Sequence, residues 1–190
     1  MSETLDQPAS GTGAGVAQDA EMVARATSLV PLVREHAAEA AKQRRVVPDV
    51  LAALEEAELL QLLVPKRLGG LEANVRTLID CIAEVSRGDG STGWVVGILN
   101  GGNWLPVTYS DEAQAEVFTG TPVKTCGVLA PTSSAERVEG GYVISGRWSY
   151  ASGSFAAEWG AFGFPFDEDG NQLGLALVPA LTWQIDSTWF

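Results

Sequence analysis

Apolar side chains recur at steps of three and four residues over roughly the first hundred residues of the chain, the spacing that places them on one face of an α-helix. The pattern predicts five helices. They cover about Gln18 to Arg45, Pro48 to near Leu60, a segment capped by Asn74 and stopped by Gly88, a segment capped by Asp89 or Ser91, and a short helix at Ser110-Asp111-Glu112. Pro31 is expected to kink the first helix or to mark its true start.

The same periodicity predicts which side chains these helices bury. They are Met22, Leu29, Leu32 and Val33 in the first, Val50, Leu51, Leu54 and Ala57 in the second, Val75, Leu78, Ile79, Ile82 and Val85 in the third, and Trp94, Val95, Ile98 and Leu99 in the fourth.

After Gly120 the pattern changes to alternation and turn pairs, which are typical of β-strands. Glycines at Val138-Glu139-Gly140-Gly141-Tyr142 predict one hairpin, because glycine accepts the positive φ that tight turns need. Asp169-Gly170 predicts a second, between Gly160 to Phe166 and Leu173 to Val178. On the strand after Gly141, an unbroken pleat would place five side chains on one face, although Gly146 could mark a bulge. They are Tyr142, Ile144, Trp148, Tyr150 and Ser152.

The order of elements predicts an α+β fold, with an all-helical domain followed by an antiparallel β domain of an incomplete barrel or sandwich. We expect a disordered leader at residues 1–15, the helical domain at 16–120 and the β domain at 121–190, joined near Thr119 to Pro122. The β domain is expected to be unfinished, because Trp183 to Phe190 remain apolar and strand-like.

Composition and charge narrow the possible partners. Twelve basic against twenty-four acidic residues give a net charge of -12, which disfavours nucleic acid and anionic lipid as partners. No apolar run approaches the ~20 residues of a membrane span, so we expect a cytoplasmic protein without a membrane segment. Cys81 and Cys126 fit small buried hydrophobes, and with His36 as the only histidine no protein metal site is expected.

The segment from Gly146 to Gly153 holds two large aromatics and two serine hydroxyls within five residues. One interpretation is a sheet face packed on a helix, with the hydroxyls directed to water. The other is a wall for a planar aromatic cofactor, against which a ring stacks while a hydroxyl meets a heteroatom.

Several motifs resemble the acyl-CoA dehydrogenase superfamily, and its flavin-dependent hydroxylase branch in particular. They are Leu63-Val64-Pro65, Leu68-Gly69-Gly70, Gly88-Asp89-Gly90-Ser91-Thr92-Gly93-Trp94, Gly127-Val128-Leu129-Ala130-Pro131-Thr132, Gly140-Gly141-Tyr142-Val143-Ile144-Ser145-Gly146-Arg147-Trp148 and Ser152-Gly153. Where dehydrogenases show Thr-Glu-Pro and Gly-Ser-Asp, this chain has Ala130-Pro131-Thr132 and Ser133-Ser134-Ala135, which weakens an acyl-CoA assignment.

The resemblance implies a flavin site. Leu129 and Ala130 would lie along the pyrimidine edge of the flavin, and Tyr150, Ala151 and Ser152 against the isoalloxazine, with Ser152 near N5. Trp94 would close the same pocket from the helical domain. Each of these residues could instead be an ordinary core or strand residue.

The resemblance further implies a two-component monooxygenase. A partner flavin reductase would supply reduced FMN or FAD, and a C4a-hydroperoxyflavin would hydroxylate a small aromatic substrate. Catalytic residues and much of a homo-oligomer interface would come from a C-terminal helical bundle that is missing here, so the chain alone is expected to be inactive. The alternatives are an FAD-dependent acyl-CoA dehydrogenase-like enzyme and a truncated non-catalytic remnant or interaction module.

Overall fold

The computed structural model describes residues 13–119, 123–166 and 172–188, with side chains from residue 19 onward within those ranges. Over these ranges the chain forms five α-helices and then five β-strands. The helices are α1 (Gly13–Gln43), α2 (Pro48–Glu56), α3 (Val75–Ser86), α4 (Gly90–Trp104) and α5 (Asp111–Val117). The strands are β1 (Thr125–Val128), β2 (Ser133–Val138), β3 (Gly141–Gly146), β4 (Trp159–Pro165) and β5 (Leu173–Pro179). The predicted α+β class is confirmed.

Three of the predicted helix caps are confirmed. Asn74 accepts a hydrogen bond from the Thr77 amide at the start of α3, and Ser110 caps α5 in the same way. For α4 the cap is Asp89 rather than Ser91, and its carboxylate accepts from the Thr92 amide at 2.7 Å. A polar side chain in this position satisfies an amide that the first helical turn leaves free.

Two predicted helix bounds were wrong. The backbone of α1 is already helical at Gly13, so Pro31 lies inside the helix rather than at its start. α2 ends at Glu56, short of Leu60. The predicted leader lies outside the described residues up to residue 12, as do residues 120–122 of the predicted domain junction and the turn at Asp169-Gly170.

The helical core lies between α1, α2, α3 and α4. Its members include side chains with at most 2% of their surface exposed: Met22, Val33, Val50, Leu54, Leu59, Leu60, Leu62, Cys81, Val85, Val96 and Leu99. Both cysteines are free and buried, as predicted, and His36 is half-buried on α1.

Three residues predicted to be buried are exposed. Val75 is 62% exposed and Ile79 54% on α3, and Trp94 is 60% exposed on α4. Periodicity identified an apolar face on each helix, but among the described residues no element covers these positions, while Val96 takes the inward place on α4.

Two fully buried asparagines on α4 hold the neighbouring segments by their amides. Asn100 accepts from the Leu62 amide at 2.8 Å and donates to the Leu59 carbonyl at 2.8 Å. Asn103 donates to the Leu60 carbonyl at 2.6 Å and accepts from the Thr125 amide at 2.7 Å. These bonds attach both the segment after α2 and the first strand to one helix.

The strands form a three-stranded sheet in the order β1-β4-β5 and a separate β2-β3 hairpin, and over the described residues neither closes into a barrel. Both predicted hairpin pairings are confirmed, and Gly140 adopts a φ of 85° in the first turn. The prediction of an antiparallel block was wrong for one pair, because β1 runs parallel to β4. A parallel pair requires a crossover, which here is the whole β2-β3 hairpin and the turns after it.

The strand expected to run from Gly141 to Ser152 ends at Gly146. Tyr150 has a φ of 62°, which no strand residue adopts, so the predicted common face of five side chains does not form. Residues 183–188, which were predicted to be strand-like, form no strand either.

The helical and β segments are in direct contact. The nearly buried Lys124 ammonium lies 3.0 Å from Glu55 of α2 and 3.1 Å from Glu158 before β4. Gly102 of α4 lies so close to Thr125 that an added Cβ would clash with its carbonyl oxygen. None of the helices in the described ranges has the length and apolar character to cross a bilayer.

Candidate functional site

The segment after β3 is a series of tight turns that contains three of the predicted site residues. Tyr150 and Gly153 both have left-handed backbone, with φ values of 62° and 80°. The Ser152 amide donates to the Tyr150 carbonyl at 2.8 Å, and the Ser154 amide donates to Ala151 at 3.1 Å. A bulky residue with positive φ is strained, so the surrounding contacts must hold Tyr150 in this conformation.

α4 contacts this turn at the two residues that follow Ala151. The Trp94 indole Nε1 donates to Ser152 Oγ at 3.0 Å, although the two residues lie far apart in sequence. At the next position, a Cβ added to Gly153 would lie 3.0 Å from Cδ2 of the buried Leu99. The structure therefore brings together two predicted site residues, Trp94 and Ser152, and packs the turn against one helix.

Leu129 and Ala130 follow β1 directly. Leu129 is 65% exposed, and the Ala130 carbonyl accepts from the Thr132 amide at 2.9 Å. The Leu129 carbonyl lies so close to Gly163 of β4 that any side chain there would clash with it. This close approach fixes the path of the chain as it leaves the sheet.

Gly163 also connects Leu129 and Ala130 to the turn. Its carbonyl accepts from the Trp148 indole at 2.8 Å and from the Ser133 hydroxyl at 3.2 Å. Trp148 stacks on Phe162 with ring centroids 4.7 Å apart, just before the turn begins. Leu129 and Ala130 on one side and Tyr150 to Ser152 on the other are thus anchored to the same strand.

The sequence did not single out Gly163 as important to the site. A signal was present, because a lone glycine between Phe162 and Phe164 in a strand pattern often marks a close backbone approach. The partner in that approach is set by the parallel β1–β4 pairing, which the sequence did not reveal.

The side chains of this site offer apolar surface, the phenol of Tyr150 and the hydroxyl of Ser152. Trp94, Leu129 and Tyr150 expose 60%, 65% and 85% of their surface, whereas Ala151 and Ser152 are half-buried. Two aromatic rings and an aliphatic side chain can pack against a planar ring system, and a serine hydroxyl can hydrogen-bond to one of its heteroatoms. The residues present therefore fit a planar heteroaromatic group such as a flavin.

Two arginines near the turn after β3 are paired with other groups. Arg147 lies 3.1 Å from Asp186, and the Arg45 guanidinium lies over the Phe155 ring at 5.3 Å.

Burial raises the pKa of the Cys126 thiol on β1 to about 11, so this cysteine is a protonated core residue at neutral pH and not a nucleophile. Over the residues with described side chains, no group of three His, Cys, Asp or Glu could hold a metal ion.

Comparison with known proteins gives a family and a set of relatives. Residues 20–120 match the acyl-CoA dehydrogenase N-terminal domain family. The oxygenase subunit HsaA of a flavin-dependent monooxygenase from Rhodococcus jostii is 33% identical over 87% of this chain and 44% of its own length. The oxygenase component of an FADH2-dependent resorcinol hydroxylase from a Rhizobium species is 34% identical over 88% of this chain and 42% of its own.

Solved structures agree with the sequence relatives. XiaF from a Streptomyces species, crystallised with FADH2 and glycerol, superposes with a TM-score of 0.87 at 32% identity, covering 93% of this chain and 46% of its own. The chain thus spans less than half the length of the relatives that it matches.

Proposed function

Because the chain belongs to the acyl-CoA dehydrogenase N-terminal domain family and has oxygenase components as relatives, we propose that it is the flavin-binding part of a two-component monooxygenase acting on an aromatic substrate. The observation that carries the proposal is the Trp94–Ser152 hydrogen bond between α4 and the turn after β3. It places a fixed hydroxyl among exposed apolar side chains. A flat ring system with polar atoms at its edge requires this combination.

Each predicted residue has a role in this proposal. Tyr150 and Leu129 provide apolar surface for the isoalloxazine, Ala130 and Ala151 provide backbone beside it, and Ser152 hydrogen-bonds to ring nitrogen N5. Trp94 closes the site from α4. Reduced flavin, when bound, supplies the electrons that activate molecular oxygen for insertion into the substrate. The protein's own task is to orient the ring and exclude water.

The proposal extends to the partners. A flavin reductase supplies reduced flavin, as FMN or FAD, and the substrate is a small aromatic compound. The complete protein forms a homo-oligomer in the cytoplasm. The relatives favour this function over an acyl-CoA dehydrogenase, because HsaA and the resorcinol hydroxylase protein are oxygenase components.

Flavin binding to the 190-residue chain tests the proposal. A hydroxylase fed by a reductase must capture reduced flavin, so we expect saturable anaerobic binding of reduced FMN or FAD, tighter than that of the oxidised form. Leu129→Glu places a carboxylate on the apolar surface of the site and should weaken binding by about tenfold or more. Equilibrium dialysis under anaerobic conditions measures the affinity of the wild type for reduced and oxidised flavin and that of the variant.

Leu181→Glu is the matched control, since Leu181 is fully exposed in the short helix after β5 and should tolerate the same change. Absence of saturable binding, or equal affinity in both variants, would rule out a flavin site at Leu129. Retention of oxidised FAD in preference to reduced flavin would instead indicate a dehydrogenase.

A further inference from the structure

The hydrogen bond between Trp94 and Ser152 determines how the serine hydroxyl can act. An indole nitrogen can only donate, so Ser152 Oγ is the acceptor across the 3.0 Å between them. One lone pair of the oxygen is occupied, and the hydroxyl proton must point away from the indole. In the part of the chain that the structure describes, this hydroxyl has no acceptor of its own.

The backbone leaves the hydroxyl little other freedom. Ser152 stands between two left-handed residues, Tyr150 and Gly153, and its amide is bonded to the Tyr150 carbonyl. Gly153 in turn packs on the buried Leu99 of α4. With the Cα position fixed in this way, rotation about the side-chain bonds is the remaining variable, and the Trp94 indole restricts it.

We propose that Trp94 is a positioning residue, which orients the Ser152 hydroxyl as a hydrogen-bond donor toward an acceptor nitrogen of a bound isoalloxazine ring. The inference rests on the proposed flavin site and adds a role for the indole N–H that stacking does not require. A hydroxyl that accepts one hydrogen bond is polarised and donates a stronger second one. Without the indole N–H, the hydroxyl proton can turn to solvent instead.

A competing role for Trp94 is that of an apolar wall, which needs the ring but not its N–H. Trp94→Phe separates the two roles, because it keeps an aromatic ring and removes the donor. The position is 60% exposed, so the substitution leaves the helical core in place, and circular dichroism verifies this.

The experiment measures binding of oxidised FAD and of 5-deaza-FAD to the 190-residue chain. The oxidised form is used because its N5 accepts a hydrogen bond, whereas N5 of reduced flavin carries a hydrogen and the analogue has a carbon at that position. We expect Trp94→Phe and Ser152→Ala each to weaken FAD binding by about threefold to tenfold and to leave binding of the analogue unchanged. In the Ser152→Ala background, Trp94→Phe should have no further effect, and Ser152→Thr should retain affinity.

Trp104→Phe is the matched control, because Trp104 is another exposed tryptophan of α4 and lies outside the site. Unchanged FAD affinity in Trp94→Phe would overturn the inference. Equal losses for FAD and the analogue would also overturn it and indicate a wall, with the flavin site intact. If the wild type binds neither compound nor reduced flavin, the proposed function itself fails.

Discussion

At the scale of single residues, one buried polar side chain holds two backbone groups of a neighbouring segment. Asn100 is fully buried, and its amide is the partner of the Leu62 amide and the Leu59 carbonyl. Asn100→Ala should therefore lower the free energy of unfolding by about 2–4 kcal/mol, because it leaves both backbone groups without a partner in a dry core. Urea denaturation followed by circular dichroism measures the change.

Gln43→Ala is a suitable control for this prediction. Gln43 is also a helical amide, but it is exposed, and among the described residues its side chain bonds only to Glu39 one turn away, so its removal should cost less than about 0.5 kcal/mol. Equal effects of the two substitutions would mean that the Asn100 hydrogen bonds contribute nothing beyond helix propensity.

At the scale of elements, the approach of the β1 exit to β4 depends on Gly163. Gly163→Ala should lower the free energy of unfolding by about 1–3 kcal/mol and weaken flavin binding, because the added methyl displaces the Leu129 backbone. Gly101→Ala is the counterpart, since an added Cβ there meets no atom within 4 Å on the exposed side of α4. Gly101→Ala should instead raise the free energy of unfolding by about 0.5–1 kcal/mol. Thermal unfolding of both variants tests the contrast.

Elements specified by local chemistry were predicted well from the sequence. Asn74, Asp89 and Ser110 cap their helices because a cap needs only a side chain and the amides of the next turn. The turn at Gly140 and the pairing of β4 with β5 follow from similarly local signals.

Features that depend on distant parts of the chain were missed. Trp94 was predicted to be buried, since periodicity does not reveal which neighbours cover a face. The strand toward Ser152 was extended too far, because the alternation of side chains continues in the sequence although Tyr150 adopts a positive φ. The predicted site residues came from a resemblance, and the Trp94–Ser152 bond could not be read from either segment alone.

At the scale of the whole molecule, Lys124 joins the helical and β segments. Burial lowers the pKa of its ammonium, but the hydrogen bonds that the ammonium donates to Glu55 and Glu158 raise it more, so the net shift is upward. Its stabilising effect is complete at neutral pH and is lost as pH rises through this raised pKa.

Lys124→Met keeps the aliphatic stem and removes the charge, which leaves the two carboxylates near each other without a cation. We expect a loss of about 1–3 kcal/mol in the free energy of unfolding at pH 7, and partial recovery when Glu55→Gln is added. Lys42→Met, at an exposed position of α1, should change stability little. Urea titrations at pH 7 compare the stabilities of these variants. A Lys124→Met variant as stable as the wild type would show that the ion pairs of Lys124 with Glu55 and Glu158 contribute nothing to the free energy of unfolding.

The position of Asn103 also bears on how the chain folds. Its amide is satisfied only when the Leu60 carbonyl and the Thr125 amide have both arrived, from opposite directions along the sequence. A folding intermediate with the helices docked and β1 still free would contain a buried, half-bonded amide, which raises its free energy. Docking of the helices and docking of β1 are therefore coupled during folding. Asn103 of α4 raises the free energy of states in which only one of the two has formed.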